Sequence, residues 1–115
     1  MVKKDVHRFE IWLVQLDPTQ GSEIKKTRPC VVISPDEINH NLRAVVIAPM
    51  TTKSRSYPTR VKVKHNNQTG WVVIDQIRTI DKKRLLKFLG KISSRELKEV
   101  EKSLLVHLGM YFNNK

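Results

Sequence analysis

Three polar stretches of the chain combine residue types that could act on a phosphate group. The first is the loop over residues 17–29, which carries the carboxylate of Glu23 and the cations of Lys25, Lys26 and Arg28. An arginine fork matches two phosphate oxygens, and a carboxylate can accept a proton. Arg28 precedes a proline and a buried-type run, where an unpaired charge is costly. Two interpretations stay open: a guanidinium with an anionic target, or an exposed arginine at a strand start.

The second stretch, residues 49–58 (PMTTKSRSYP), follows another apolar run. Hydroxyls and cations bind phosphates, and a tyrosine ring can stack on a base. The candidate residues are Thr51, Thr52, Lys53, Arg55 and Tyr57. An ordinary polar hairpin loop would have much the same composition, so this loop alone does not decide between binding and connection.

The third stretch, residues 75–84 (DQIRTIDKKR), begins with a polar pair directly after a buried-type run. Gln76 and Arg78 are its candidates for contact with a nucleic acid, and Arg60 of the alternating run before it is another. Asp81 is expected to cap a short helical turn over residues 82–84.

The spacing of the histidine, cysteine and acidic residues gives little support for a metal site or a nucleophilic thiol. His7, His40, His65 and His107 are widely separated, and we find no metal-ligand spacing between them and an acid or Cys30. We therefore expect no metal site and no cofactor. Cys30 lies inside a continuous apolar run, which is typical of a core residue rather than a nucleophile. A lone cysteine favours a reducing, cytoplasmic setting.

The charge of the chain is large and unevenly distributed. Its 115 residues include 22 Lys and Arg against 11 Asp and Glu, a formal net charge of +11. Residues 43–91 hold twelve basic and two acidic residues, whereas residues 93–112 hold three of each. This distribution favours a nucleic-acid face on strands and loops over an amphipathic membrane helix. Without a run of about 18 apolar residues, no transmembrane helix is expected, and no signal peptide is recognised.

The elements that must position these residues are short strands and one helix. Apolar runs bounded by turns predict five or six strands, at residues 9–16, 30–33, 44–48, 59–64, 71–74 and 86–92. The strand at 44–48 is expected to stop at Pro49. Apolar residues at steps of three and four, with a capping box at Ser93 and Glu96, predict a helix from Ser94 to Phe112. The absence of βα alternation indicates one mainly β domain over residues 1–115, an antiparallel sheet or small barrel closed by a helix.

Taken together and in order, these stretches resemble the MazF/PemK family of type II toxins. The matching segments are EIWLVQLDPTQGSE (10–23), KTRPCVVIS (26–34), APMTTKSRSYPTRV (48–61) and DQIRTIDKKRL (75–85). The resemblance covers nearly the whole chain and is weaker over residues 36–42 and in the C-terminal helix. One departure is at Phe9, where the family usually has glycine.

The resemblance implies a fold, an activity and partners. The fold is an SH3-like barrel with a C-terminal helix, assembled as a homodimer. The activity is metal-independent cleavage of single-stranded RNA at short preferred sequences, as in an mRNA interferase, leaving a 2′,3′-cyclic phosphate or 3′-phosphate and a 5′-hydroxyl. The partners are a MazE-type antitoxin with an acidic tail over the RNA groove and, together with that antitoxin, operator DNA; no membrane is implied.

The resemblance also implies roles for individual residues. Arg28 matches the family's catalytic arginine, Thr51 its catalytic threonine, and Glu23 an acid with a supporting or base role. Gln76 and Arg78 match polar positions near the active site or its RNA contacts. The general base stays open, with Glu23 preferred over His40 and His65.

Two other functions remain alternatives at this stage. A gyrase poison similar to CcdB would contact its partner through C-terminal residues rather than through the Arg28 and Thr51 loops. A non-catalytic RNA-binding module would account for the net charge, but not for the combined Thr-Arg-Pro and Thr-Thr-Lys motifs. The residues alone, without the resemblance, indicate a basic single-domain nucleic-acid binder.

Overall fold

The computed structural model describes residues 4–110 as a curled antiparallel sheet with a C-terminal helix. The strands are β1 (Glu10–Gln15), β2 (Thr27–Val32), β3 (Ala44–Thr51), β4 (Arg60–His65), β5 (Gln68–Val73), β6 (Arg78–Asp81) and β7 (Leu85–Lys91). The α-helices are α1 (Asp36–Asn41) and α2 (Ser94–His107), and short 3-10 helices span Ile74–Gln76 and Lys82–Arg84. The predicted class, mainly β with a C-terminal helix, is confirmed.

The strands form an open sheet that curls. The order is β4-β5-β3-β2-β1-β7, and β6 pairs with the first half of β3. The two edge strands approach each other, since a methyl group built on Gly90 of β7 would lie 3.3 Å from the ring of His65 on β4.

Both faces of the central strand β3 are largely buried, and the alternation of its side chains divides them between two apolar clusters. Val45 and Ile47 pack in one apolar cluster with residues of β1, β2 and β7. Ala48 and Met50 point to the opposite face and pack in a second cluster with the buried side of α2. Because side chains alternate along a strand, Thr51 continues the face of Ile47 rather than that of Met50.

Helix α2 is capped as the sequence predicts. The Ser93 hydroxyl accepts a hydrogen bond from the Glu96 amide at 3.1 Å, and the Glu96 carboxylate accepts one from the Ser93 amide at 2.9 Å. Glu96 also accepts a hydrogen bond from the backbone amide of Lys64 at 2.7 Å, which ties the start of α2 to β4. The capping box thereby fixes the helix against the sheet edge.

The predicted C-terminal end of this helix is wrong. The helix ends at His107, and Gly109 adopts a left-handed φ of 68°. The amides of Gly109 and Met110 donate to the carbonyls of Val106 and Leu105, which is the Schellman arrangement. The predicted end at Phe112 lies outside the described residues.

Other differences concern the strands. Strand β3 continues through Pro49 to Thr51 because it changes partner there, pairing Met50 with Val72 of β5. Strand β6 and helix α1 were not predicted. Strand β6 has only four residues, and its pattern is too short to identify without its partner β3.

Phe9 occupies the position where the resembled family usually has glycine, and its φ is 69°. A left-handed conformation costs a non-glycine residue roughly 1–2 kcal/mol. The side chain offsets part of this cost, because it packs against the cluster under α2 and lies 4.5 Å below the Arg8 guanidinium. The backbone keeps its pairing on both sides, with hydrogen bonds to Val32 and Ile92.

Candidate active site

Strands β2 and β3 carry the two predicted catalytic residues, each just beyond the last observed β2–β3 pair, Cys30 with Pro49. The antiparallel register pairs Cys30 with Pro49 and Val31 with Ala48. Continued by two residues, this register sets Arg28 opposite Thr51. Directly opposed residues of antiparallel strands have Cβ atoms about 4.5–5.5 Å apart. The register therefore predicts that a single small anion can contact both side chains.

Arg28 is exposed, and its guanidinium is largely free. Its Nε donates a long hydrogen bond of 3.4 Å to the Lys25 carbonyl. Among residues 4–110, neither terminal nitrogen of Arg28 donates a hydrogen bond, and Arg28 forms no salt bridge. An exposed Arg28 agrees with both interpretations of the sequence, an anion-binding arginine and an arginine at a strand start. Unoccupied terminal nitrogens are what an anion needs in order to accept two parallel hydrogen bonds from it.

Thr51 is half-buried at the end of β3, where the chain leaves the sheet. Its hydroxyl accepts a hydrogen bond from the Lys53 amide at 3.2 Å and lies 3.3 Å from the Lys53 carbonyl. Thr52, Lys53, Arg55 and Tyr57 are exposed on the loop that follows. The Thr51 hydroxyl therefore lies at the start of a loop with polar and cationic side chains.

Glu23 lies on the loop before β2, together with the exposed Lys25 and Lys26. One carboxylate oxygen of Glu23 accepts a hydrogen bond from the Gln20 amide at 2.5 Å. Glu23 lines a cavity of about 190 Å³ whose other walls come from β3 and the segment after β5. The lining residues are Leu16, Glu23, Ile24, Pro49, Asp75, Gln76, Ile77 and Arg78.

Gln76 and Arg78, predicted to contact RNA, hold this loop in place. The Gln76 side chain accepts a hydrogen bond from the Ile24 amide at 2.7 Å. Arg78 donates to the Leu16 carbonyl at 3.1 Å. Arg84 adds hydrogen bonds to the carbonyls of residues 15 and 17 at 3.1 and 2.6 Å. These three side chains position the loop that carries Glu23 and leads to Arg28, and sequence reasoning missed Arg84.

Arg60, another predicted RNA contact, binds a carboxylate with its guanidinium instead. Its Nε and one terminal nitrogen donate to the two oxygens of Asp75 at 2.7 and 3.0 Å. The other terminal nitrogen donates to the Ser54 hydroxyl at 3.0 Å. Arg60 thus joins β4 to the segment after β5, and the predicted direct contact with RNA would have to displace this pair.

The Arg60–Asp75 pair makes a prediction about stability and pH. The Arg60 guanidinium holds the pKa of the Asp75 carboxyl below its ordinary value. A carboxyl with a depressed folded-state pKa stabilises the fold above its unfolded pKa, about 3.9, and loses that contribution as pH falls through the folded value. The free energy of unfolding, measured in urea, should therefore decline below about pH 4.

The variant Asp75→Asn should lower the free energy of unfolding at pH 7 and weaken this decline. Asp17→Asn is the matched control, because Asp17 is exposed and its carboxylate bonds only the hydroxyl of Thr19 among the described residues. Equal acid sensitivity in the wild type and in Asp75→Asn would contradict the role assigned to the pair.

The alternative bases lie away from this end of the sheet, whereas Cys30 lies two residues from Arg28 and is buried, its thiol donating to the Arg28 carbonyl at 3.5 Å. His40 is on α1, beside Asp5. His65 ends β4 and faces Gly90 on β7. Burial raises the pKa of the Cys30 thiol to about 12, so it stays protonated at neutral pH. The predictions that Cys30 is a core residue and that Asp81 caps the turn at 82–84 are confirmed, with Asp81 accepting from the Lys83 amide at 2.8 Å.

Comparison with known proteins identifies the family of this chain. Residues 7–108 match the family described as PemK-like, MazF-like toxin of type II toxin-antitoxin system. The chain therefore belongs to this family of toxins. A relative, endoribonuclease MazF9 of Mycobacterium tuberculosis (strain ATCC 25618 / H37Rv), is 34% identical over 117 residues, which cover 92% of this chain and 98% of MazF9.

Solved structures show the same fold. MazF from Deinococcus radiodurans superimposes with a TM-score of 0.84 at 25% identity, covering 94% of this chain and 100% of that one. An endoribonuclease from a mycobacterial species, in complex with its cognate antitoxin, gives a TM-score of 0.81 at 24% identity and covers 94% and 99% of the two chains. Within residues 4–110 of the present chain, neither helix has the length and apolar character needed to cross a membrane.

Proposed function

We propose that this chain, an endoribonuclease of the MazF-like toxin family, cleaves single-stranded RNA with Arg28 and Thr51 bound to the same phosphate. One observation carries the proposal: β2 and β3 pair Cys30 with Pro49, and this register, continued by two residues, would set the exposed Arg28 opposite the Thr51 hydroxyl. The surrounding loops add exposed cations that attract the RNA backbone.

RNA supplies its own nucleophile in this reaction. The ribose 2′-oxygen attacks the adjacent phosphorus, a bond from O2′ to phosphorus forms, and the bond from phosphorus to O5′ breaks. Arg28 stabilises the extra negative charge on the non-bridging oxygens of the pentacoordinate phosphorus, and the Thr51 hydroxyl donates a further hydrogen bond to it. The products are a 2′,3′-cyclic phosphate and a 5′-hydroxyl.

Glu23 is the proposed acceptor of the 2′-hydroxyl proton, and water returns a proton to O5′. Arginine cannot take the base role at neutral pH, because its pKa is above about 12. Within the described residues, the Gln20 amide occupies only one Glu23 oxygen, which leaves the other to accept a proton. The hydrogen bonds of Gln76, Arg78 and Arg84 hold the Glu23 loop in position for this step.

The reaction as proposed is independent of metal ions. The nucleophile belongs to the substrate, and a guanidinium and a hydroxyl supply the charge stabilisation that a metal ion supplies in other nucleases. Exposed side chains around Arg28 and Thr51 hold the RNA strand on either side of the scissile phosphate. They are Lys25, Lys26, Thr52, Lys53, Arg55 and Tyr57.

The proposal extends to partners. An acidic antitoxin segment of the MazE type would bind the same basic loops as RNA and so exclude it, since both are polyanions. The toxin with its antitoxin would then bind operator DNA.

Large apolar side chains at the C-terminal end of α2 and on β7 remain exposed and supply surface for a homodimer: Leu86, Phe88, Leu105, Leu108 and Met110. The free buried thiol of Cys30 suits the cytoplasm.

Mapping the ends of digested RNA tests the cleavage reaction. Tag-free protein is incubated with RNA of mixed sequence in excess EDTA, and the new ends are identified. We expect 5′-hydroxyl and 2′,3′-cyclic phosphate ends at a short recurring sequence, with cleavage undiminished by the chelator. Protein with Arg28→Ala, purified in the same way, controls for a contaminating nuclease. Cleavage that EDTA abolishes, or 5′-phosphate ends, would contradict the proposed chemistry.

A further inference from the structure

Two histidines and two carboxylates converge at the end of the sheet opposite Arg28 and Thr51. Asp5 and His7 belong to the segment before β1, and His40 and Asp36 belong to α1. Helix α1 follows the C-terminal end of β2, whereas Arg28 lies near its beginning. Four residues of extended strand from Arg28 to Val32 already span about 13 Å, so this cluster is separate from the catalytic site.

The polar atoms of this cluster are spaced as the ligands of a small metal ion would be. The Asp5 carboxylate oxygen lies 3.1 Å from Nε2 of His7 and 3.7 Å from Nε2 of His40. One ligand atom from each of the three residues can be chosen so that all lie within 4.8 Å of one another. Two ligands about 2.1 Å from a tetrahedral zinc ion are about 3.4 Å apart, a value between the two observed separations.

The fourth residue of the cluster, Asp36, is placed to hydrogen-bond a metal-bound histidine rather than to bind the metal ion itself. Asp36 lies 3.5 Å from Nδ1 of His7, on the side of the ring away from Asp5. A metal-bound histidine commonly donates its other ring N–H to a carboxylate, which orients the ring and strengthens the bond to the metal. Asp36 itself is held in place, because it accepts a hydrogen bond from the Arg8 amide at 2.7 Å.

The backbone around the cluster is fixed before any ion arrives. The His7 amide donates to the Glu10 carboxylate at 2.8 Å, and the Arg8 Nε donates to the Ile33 carbonyl at 2.7 Å. The side chains of His7, His40 and Asp5 are 44%, 47% and 78% exposed, so an ion has an open path and room for water as a fourth ligand.

We propose that Asp5, His7 and His40 bind one divalent transition-metal ion, with zinc as the best-fitting candidate. Two imidazoles and one carboxylate favour zinc over magnesium or calcium, which prefer oxygen ligands. The ion joins the segment before β1 to α1 and has a structural role. It takes no part in RNA cleavage, because it sits at the other end of β2 and β3.

Isothermal titration of tag-free, full-length protein with zinc chloride at pH 8 tests this site. We expect one ion per chain. His40→Gln should weaken binding at least tenfold, and Asp36→Asn about tenfold through loss of the outer partner. His107→Gln is the matched control and should bind as the wild type does, because this exposed histidine ends α2.

Thermal unfolding supplies an independent readout. Zinc at a hundredfold excess over its Kd should raise the Tm of the wild type and of His107→Gln by several degrees, but not that of His40→Gln. If His40→Gln does not fold by circular dichroism, Asp5→Asn takes its place, since the Asp5 side chain is mostly exposed. The absence of saturable binding below about 1 mM, a Kd at which affinity is only about 4 kcal/mol, would overturn the proposal. Equal binding by the wild type and by variants of His40 and Asp5 would also overturn it.

Discussion

Replacing Arg28 by alanine is expected to lower the rate of RNA cleavage by about 100- to 1,000-fold, the usual effect of removing one donor that stabilises a developing oxyanion. The loss should fall on the single-turnover rate, because the guanidinium acts on charge that appears only in the transition state. The fold should survive, since Arg28 is exposed and donates only one long hydrogen bond among the described residues. Equal circular dichroism and equal urea midpoints would verify this.

Two further variants separate the position of the charge from its presence. Arg43→Ala removes another exposed arginine, which lies at the opposite end of the β2–β3 pair, next to the start of β3. This variant should lower the cleavage rate only by the small amount expected from a lower net charge. Arg28→Lys keeps the charge but not the two-pronged donor, so its rate should lie between those of wild type and Arg28→Ala. Equal losses in Arg28→Ala and Arg43→Ala would show that Arg28 contributes only to general attraction.

Thr51→Val is expected to reduce single-turnover cleavage by about 100-fold, since it removes one transition-state donor while keeping the branched shape that suits a strand. Thr51→Ser restores the hydroxyl and should recover most of the rate. Thr79→Val is the matched control, because Thr79 is an exposed threonine on β6. It should cleave at the rate of the wild type.

The Thr51 hydroxyl also bonds the backbone of Lys53, so a loop effect must be distinguished from a catalytic one. Loss of loop order alone would weaken RNA binding and raise KM at an unchanged kcat. Loss of a transition-state hydrogen bond would lower kcat. A Thr51→Val protein with normal kcat and raised KM would limit this residue to ordering the loop.

The sequence predicted the strands and the capped helix because local signals determine them. Alternation and β-branched runs identified the strands β1 to β5 and β7, and the Ser93–Glu96 box identified the start of α2. The helix end was misplaced because the apolar spacing continues past the point where Gly109 reverses the backbone. Strand β6 could not be identified locally, since its four residues are ordered by pairing with β3.

Local signals likewise served to select some polar residues, whereas the contacts of others depend on residues far away in the sequence. Motif order selected Arg28 and Thr51, and they stay a prediction; the β2–β3 register, continued by two residues, would set them opposite each other. The partners of Gln76 and Arg78 are 52 and 62 residues away in the sequence, so spacing could not show that they hold a loop. The convergence of His7 and His40 was missed for the same reason, because α1 brings His40 back to the segment before β1.

The central claim is that one phosphate is held by two side chains from neighbouring strands. A crystal structure with a short RNA tests it most directly, the RNA carrying 2′-deoxyribose at the mapped cleavage position so that the nucleophile is absent. The mechanism predicts that a terminal nitrogen of Arg28 and Oγ1 of Thr51 both lie about 2.7–3.2 Å from oxygens of the scissile phosphate. A scissile phosphate bound elsewhere, or touched by only one of the two side chains, would contradict it.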